Sequence, residues 1–540
     1  MRREIATADA ASGSQPVVNI TEKIIIVALV LYAVFAPHSI ALTQASYLIG
    51  MAAWLVQILS SGRFRRQKTP VDFALFSFFA CCVVSSFLSY ELLTSVKGLK
   101  SPAFFLAFYL VSCKIKDLKF ARLLLLLIIT SCLVNVAYSA GQLAVGRGLR
   151  IDHLNDDSAF ASEGLQVGDV ILAADDRKVN TLEDLSRLAD SSRGRLHITY
   201  QRQEAIGETS VSRRAIRQSG EEGMARLGIT TSPGRNFRIS GFYSHYETYA
   251  EVLQLVAALA IGMFIAQPKK RTAVALALAC AILLILSALL LTSTRATLAG
   301  LATGVLLMAL ASARRRALLF AVLAVILLTP VAYLAVKHSR GDILFNLQED
   351  SASYRFEVWR EALTMIKDHP LSGIGKGSEG GVLLREKYAL YGGGTLPPGH
   401  FHSTIIQIAT WWGLVALAFY IVVMTIFFRE IWRLSRRLLA AQRFEAWGIT
   451  LGGLGALAAF NVSSLVHFNF GDGEVVMMLW LITGIVFAVR RLTLAEFVDT
   501  GITPATPAES DSHKNLSQSP AAAAEVSVRV LAAKQHSKSQ

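Results

Sequence analysis

Residues 351–367 have the pattern of an amphipathic helix on which Arg355, Trp359, Ala362 and Ile366 share one face. An arginine on an apolar face must either snorkel to water or meet an anion. Its guanidinium offers paired donors at any pH. Asp350, Ser351 or Ser353 can cap the start of this helix and Pro370 stops it. Gly373, Gly375 and Gly377 follow, allowing tight turns and close backbone approach. His402 then opens the next apolar run, in His400-Phe401-His402-Ser403-Thr404. A helix N-terminus disfavours an imidazolium, so a neutral histidine fits there, and a neutral imidazole can accept a proton. His402, Ile406, Ala409 and Gly413 stack along one helical face, where the two small residues are expected to allow close helix packing. No Asp-x-Asp pair or His/Cys cluster suits a metal, so neither a metal ligand set nor a cofactor is expected.

The elements that carry these residues are set by composition. The chain has 540 residues, 53% hydrophobic and only 17% charged, against about 25% charged in a typical soluble protein. Apolar runs long enough to span a bilayer lie near 22–40, 42–60, 71–89, 102–114, 119–139, 245–266, 272–291, 296–313, 317–336, 403–428, 447–468 and 474–490. These predict an all-α polytopic membrane protein of about twelve transmembrane helices. The five cysteines lie in or beside these runs and read as small apolar residues.

The net charge of +14 is distributed with a rule. Basic clusters at Arg63–Lys68, Lys114–Arg122, Lys269–Arg271, Arg314–Arg316, Arg429–Arg443 and Arg490–Arg491 each follow an even-numbered span. The positive-inside rule places these loops and both termini in the cytoplasm and the two long loops, 140–244 and 337–402, outside it. The basic excess is therefore used for orientation, and no nucleic-acid partner is expected. The expected organisation is a disordered tail over 1–20, transmembrane helices over 21–139, a loop over 140–244, helices over 245–336, a catalytic loop over 337–402, helices over 403–494 and a disordered tail over 495–540.

Within the first long loop, residues 146–215 have the composition of a small soluble module. Thr181 can cap a helix bearing Leu182, Leu185 and Leu188 on one face, and Gly168-Asp169 before Val170-Ile171-Leu172 signals a turn into a strand. The stretch Leu165-Gln-Val-Gly-Asp-Val-Ile-Leu172 resembles the core of a PDZ domain of the type found in periplasmic proteases. That resemblance implies a small α+β domain that binds a periplasmic peptide or protein by strand addition, with a carboxylate-binding loop near residues 146–151.

Four further segments are similar to the O-antigen ligase and polymerase superfamily of bacterial envelope glycosyltransferases. They are Arg238-Ile-Ser-Gly-Phe-Tyr, Thr292-Ser-Thr-Arg295-Ala, Ser353-x-Arg355-x-x-x-Trp359 with His369-Pro-Leu-x-Gly-x-Gly375, and His402-Ser-x-x-x-Gln407 with Gly413. Ser403 and Ala416 stand where the family usually has Asn and Gly. The resemblance implies a GT-C-like membrane bundle in the bacterial inner membrane with its long loops in the periplasm. It implies a metal-independent, inverting transfer of a glycan from a polyprenyl (undecaprenyl) diphosphate in the membrane lipid to an acceptor hydroxyl on a glycan or lipid A core. His402 would assist loss of the hydroxyl proton, and Arg355 and Arg238 would hold the diphosphate. Arg295, Lys97 and Lys100 are further diphosphate-binding candidates, the two lysines falling in a short turn after the third span. Polymerisation of lipid-linked repeat units is the alternative within the same family. A transporter, or a scaffold or protease built around the PDZ-like module, is the alternative outside it. The two large loops argue against the transporter, and the lack of His-Glu-x-x-His argues against a metalloprotease.

Overall fold

The computed structural model describes residues 2–61, 68–191, 194–202, 205–218, 223–235, 238–312, 350–377, 384, 387, 388, 390 and 399–499. The expected span at 317–336, the basic cluster Arg314–Arg316, most of that at Arg63–Lys68 and the tail from 500 lie outside these residues.

The chain is a multi-pass helical membrane protein with a small sheet-containing module inserted in it. Helices α1 (Arg2–Phe35), α2 (Ile40–Ser61) and α3 (Asp72–Phe87) are followed by α4 (Leu92–Gly98), α5 (Lys100–Ala103), α6 (Leu106–Lys114) and α7 (Leu118–Val145). Beyond the module come α10 (Tyr246–Ala266), α11 (Ala273–Leu291), α12 (Arg295–Ala311), α13 (Asp350–Asp368), α14 (Thr404–Ala440), α15 (Phe444–Ser463) and α16 (Gly473–Asp499). Nine spans among the described residues are long and apolar enough to cross a membrane, and α3 and α12 are shorter apolar helices. These eleven coincide with eleven of the twelve expected runs.

Two boundaries differ from expectation. Helix α1 begins at Arg2, across the stretch read as a tail without regular structure, where the alanine-rich residues 6–11 favour helix. The fourth span runs from Leu92 to Lys114, so Lys97 and Lys100 stand within its opening turns, in α4 and α5, and not in a connecting turn. The lysines hid the start of that span because they depress its local hydropathy.

Helices α10, α15 and α16 form the centre of the bundle, each at least 83% buried along its apolar window. Small residues permit this: a methyl group added at Gly262 of α10 would strike the backbone of Gly452 in α15. Outward-facing Phe73, Leu59, Leu276 and Leu283 are exposed, as lipid-facing side chains must be.

The module is an antiparallel sheet with its own core. Strands β1 (Leu149–Leu154), β2 (Val170–Ala174), β3 (Arg177–Lys178), β4 (Arg195–Arg202), β5 (Ala205–Ser212) and β6 (Ile229–Pro233) pair in the order β5-β4-β2-β1-β6, with β3 on β2. Helix α8 (Leu182–Asp190) opens with the expected Thr181 cap, completed by Asp184 into a capping box. Hydrogen bonding to Thr181 holds the Asp184 carboxyl below its ordinary range. Leu185 and Leu188 of α8 and Ile216 of α9 (Arg213–Arg217) cover Ile151, Ile171, Leu196 and Ile198. Strand β6 carries the sheet past the expected boundary of residue 215, because β1 needs a partner on its second edge and finds it in Ile229–Pro233.

Candidate active site

The candidate site lies at the end of the bundle where α7 leads into the module and α10 leads back. Four segments build it. The first two turns of α10 bring Tyr246, Glu247 and Glu251. Helix α13 brings Tyr354 and Arg355, the strap 399–403 brings His400 and His402, and the loop between α15 and α16 brings His467 and Asn469.

Each segment is held by hydrogen bonds that its sequence makes necessary. Ser403 accepts from the Ile406 amide and caps α14; an asparagine at this place would satisfy the same orphan donor. The Thr404 amide donates to the carbonyls of Ser464 and His467 at 2.9 and 3.1 Å, and its hydroxyl lies 3.0 Å from Asn469 Oδ1. The start of α14 is thereby bolted to the α15–α16 loop. Trp359 donates its indole N–H to the Phe401 carbonyl at 2.6 Å, and the Phe401 amide donates to Gln407 at 2.8 Å. These bonds fix the strap against α13 and leave His402 with a left-handed backbone, φ 46°, uncommon for a residue other than glycine.

Helix α14 is broken at Gly413, whose φ is +84°. The expectation that Gly413 serves close packing of an unbroken helix is corrected here: it is the break itself. Residues 370–375 dock into it. The Ile374 and Gly375 amides donate to the Thr410 and Trp411 carbonyls, both at 2.9 Å, and the Leu414 amide donates to the Pro370 carbonyl at 2.7 Å. Backbone at membrane depth must be satisfied internally, so the His369-Pro-Leu-x-Gly-x-Gly375 segment completes the hydrogen bonding of a span. A side chain at Gly373, φ +65°, would drive into the Trp411 carbonyl. The Tyr90 hydroxyl lies 3.0 Å from His369 Nε2, and Ser95 donates to the Lys376 carbonyl at 3.0 Å, which ties the same segment to the start of the fourth span.

His402, Arg355 and Arg238 converge on this end of the bundle. The His402 ring meets Tyr354 edge-on at 5.6 Å and His400 at 4.1 Å. Arg355 Nη2 lies 3.9 Å from Glu247 Oε1. The Arg238 guanidinium sits 4.2 Å over the ring of Tyr246, the residue preceding Glu247. Arg355 stands at the margin of the buried stripe of α13, which runs through Val358, Glu361, Ala362 and Met365, one position off the expected Arg355–Ile366 face. Arg295 begins α12 behind a buried Thr292-Ser293-Thr294 turn. Lys97 and Lys100 are exposed on the opening helices of the fourth span. Tyr243 is buried and donates to the Ala36 carbonyl, so it holds the fold.

Burial pushes the His402 imidazole down to about 3; His400, Arg355 and His467 add to this while Glu247 opposes it. It is therefore neutral at working pH, and the cause is burial. His400 is lowered for the same first reason. His467 behaves oppositely. Burial disfavours its charge, yet its hydrogen bond to Glu251 and the fields of Glu247 and Glu251 outweigh that and raise it above its ordinary value.

The sequence reading missed the carboxylates. Glu251 is 2% exposed and accepts from His467 Nδ1 at 2.8 Å, Ser463 Oγ at 2.8 Å and Asn469 at 3.3 Å, and also from Gln254. His467 Nε2 lies 3.8 Å from Glu247. The available signal was two acids four residues apart in an apolar run, since ionisable groups inside a span are costly unless they serve a purpose.

In the module, residues 146–151 do not form an open carboxylate-binding loop. The Arg147 amide donates to the Gly234 carbonyl at 2.7 Å and the Ile151 amide to Asp169 at 2.8 Å, and β1 pairs on both sides. Among the described residues the sheet ends in two outer edges, β5 on one side and β6 on the other. The turn before β6 is tied to α8 by Arg226, which donates to Ser186 at 2.9 Å and to Asp190 at 2.6 Å.

No curated protein matches the chain. Residues 133–212 match a PDZ domain, and residues 280–421, which include Arg295, Arg355 and His402, match the O-antigen ligase family.

Proposed function

We propose that this protein transfers a glycan from an undecaprenyl diphosphate carrier to an acceptor hydroxyl by inverting, metal-independent chemistry at the periplasmic face of a bacterial inner membrane. The observation that carries the reading is the convergence of a neutral histidine, His402, with Arg355 and Arg238 at one end of a membrane-spanning bundle. Two fixed cations suit a diphosphate leaving group embedded in the leaflet. A histidine neutral at working pH can take the proton of the acceptor hydroxyl, worth about 10²–10⁴-fold in rate. Arg295 is a reserve contact for the diphosphate, and Lys97 and Lys100 draw it from a distance. The basic ends of the spans at Lys269–Arg271 and Arg429–Arg443 support an orientation that puts the site outside the cytoplasm.

Ligation to lipid A core is the first reading of the acceptor, and polymerisation of repeat units the second. Deleting the gene and analysing envelope glycans separates them. Polymer retained on the lipid carrier over bare core supports ligation; single repeat units alone support polymerisation; unchanged glycans overturn both. For the module we propose that a periplasmic peptide adds as a strand to the open edge of β6, beside α8. Pulldown with the module deleted tests this, and an unaltered set of partners sinks it.

A further inference from the structure

This inference rests on the transfer reading above. A histidine that is neutral at rest and takes a proton during the reaction acquires a positive charge, and an oriented carboxylate nearby stabilises that charge. The His402 ring lies 4.1 Å from that of His400 on its own strap and 5.6 Å from that of Tyr354 on α13, and the charges of Glu247 from α10, Arg355 from α13 and His467 from the α15–α16 loop act on it. Glu247 in turn faces His245 at the start of its own helix, and His400 faces Asp472. Glu251 lies one helical turn deeper and spends its oxygens on Gln254, Ser463, His467 and Asn469. Glu247 is committed less tightly: its Oε1 stands 3.9 Å from Arg355 Nη2 and 3.8 Å from His467 Nε2, both beyond hydrogen-bond length. The Glu251 carboxylate can only accept, so His467 Nδ1 carries a proton and the ring turns its Nε2 edge to Glu247. A diphosphate arriving at Arg355 competes with Glu247 for the guanidinium and leaves that carboxylate to the histidines.

We propose that Glu247 is the positioning residue that counters the charge His402 acquires when it takes the acceptor's proton, and that the buried His467–Glu251 pair holds Glu247 for this task. In the step, the acceptor O–H bond breaks and its proton passes to His402. The acceptor oxygen bonds the anomeric carbon as the carbon–oxygen bond to the diphosphate breaks. The electron pair of that bond leaves on the phosphate oxygen facing Arg355 and Arg238. Glu247 neither takes the proton nor bonds substrate.

The test uses the full-length protein in detergent, with lipid-linked glycan extracted from a strain lacking the gene and acceptor from the same strain. Rate is followed against pH for wild type, Glu247→Gln, Glu247→Asp and His467→Gln. Glu247→Gln is expected to lower kcat on the order of 100-fold with the donor KM unchanged or lower, because Arg355 loses a competitor. The acid limb of its kcat profile moves to lower pH, because an imidazolium without its carboxylate is a stronger acid. Glu247→Asp recovers part of the rate and of the limb. His467→Gln gives a loss of about tenfold with the limb displaced the same way. A Glu247→Gln protein with a kcat within about twofold of wild type, or one slowed equally at every pH with an unmoved limb, overturns the proposal while the transfer reading stands. Wild-type protein that transfers no glycan overturns both.

Discussion

Two arginine–carboxylate pairs in this molecule look alike in sequence and differ in build. In the module, Arg213 is 3% exposed, pairs with Asp175 and also donates to the carbonyls of Arg195 and Leu188. Asp175 in turn accepts from the His197 amide at 3.0 Å. Every bond runs between parts of one small fold, so the pair is a closed structural brace between β4, α8 and α9. In the bundle, Arg355 and Glu247 stand 3.9 Å apart, both about one-fifth exposed, on helices that are far apart in the chain. That separation is beyond hydrogen-bond length, so this ion pair is looser than the one in the brace.

The comparison breaks most decisively at Arg355 and His402. Alanine at either should lower transfer in purified protein by about 10²–10⁴-fold, with thermal unfolding close to that of wild type. Full activity in one of them removes that residue from the mechanism. At the brace the outcome should invert: Arg213→Ala leaves the part-exposed Asp175 without its cation and the Arg195 and Leu188 carbonyls without their donor, costs the module about 1–3 kcal/mol and opens it to proteolysis, while glycan transfer persists. Loss of transfer with an intact module would show that the two regions are coupled. Next in size is Gly373→Ala, which forces a left-handed backbone on alanine for about 1–3 kcal/mol and pushes the docked loop off the break in α14. Activity and melting temperature should fall together there, unlike at Arg355.

The pH dependence of stability sharpens the contrast between the histidines. His402 sits at about 3 in the folded chain against about 6.5 unfolded. As pH falls below 6.5 the unfolded chain binds a proton that the folded one refuses, and stability is lost down to about 3. His467 is raised in the folded chain, so its contribution is fully present below about 6.5 and fades as pH rises through its folded value. Melting curves from pH 4 to 8 should show His402→Gln flattening the acid side and His467→Gln the alkaline side; identical profiles would refute the assignment. The smallest effect is expected from Lys97→Ala with Lys100→Ala, an increase in donor KM of less than about tenfold, since both side chains are exposed and an exposed charge acts weakly through water.

The spans were legible because lipid leaves the chain one solution, an apolar run of about 20 residues closed by its own hydrogen bonds. Arg355 and His402 were legible because each sat where composition alone gave it no reason to be. Glu247 was not, because an acid in the first turn of a helix reads as an ordinary partner of the helix dipole. The Glu251–His467 bond closes across 216 positions, a distance no local pattern encodes. Strand β6 was missed for a related reason: five residues of Ile-Thr-Thr-Ser-Pro show little alternation, and their partner β1 lies some eighty residues earlier. Gly413 was seen but misjudged, since a glycine in an apolar run signals close packing or a break with equal force until its dihedral angle is known.

The docking of residues 370–375 into the break of α14 has a consequence for how the protein is made. When the span from Thr404 leaves the insertion machinery, the carbonyls of Thr410 and Trp411 and the amide of Leu414 have no partners within the span; the preceding loop supplies them, with Ser85 of α3 also donating to the Trp411 carbonyl. Unsatisfied backbone in hydrocarbon costs several kcal/mol per group. Stable integration of this span therefore waits for the loop that carries Arg355 to fold back on it. Membrane integration and assembly of the site become one event, and a Gly373→Ala chain should be retained by membrane proteases before it ever meets a substrate, which pulse-chase turnover in intact cells would read directly.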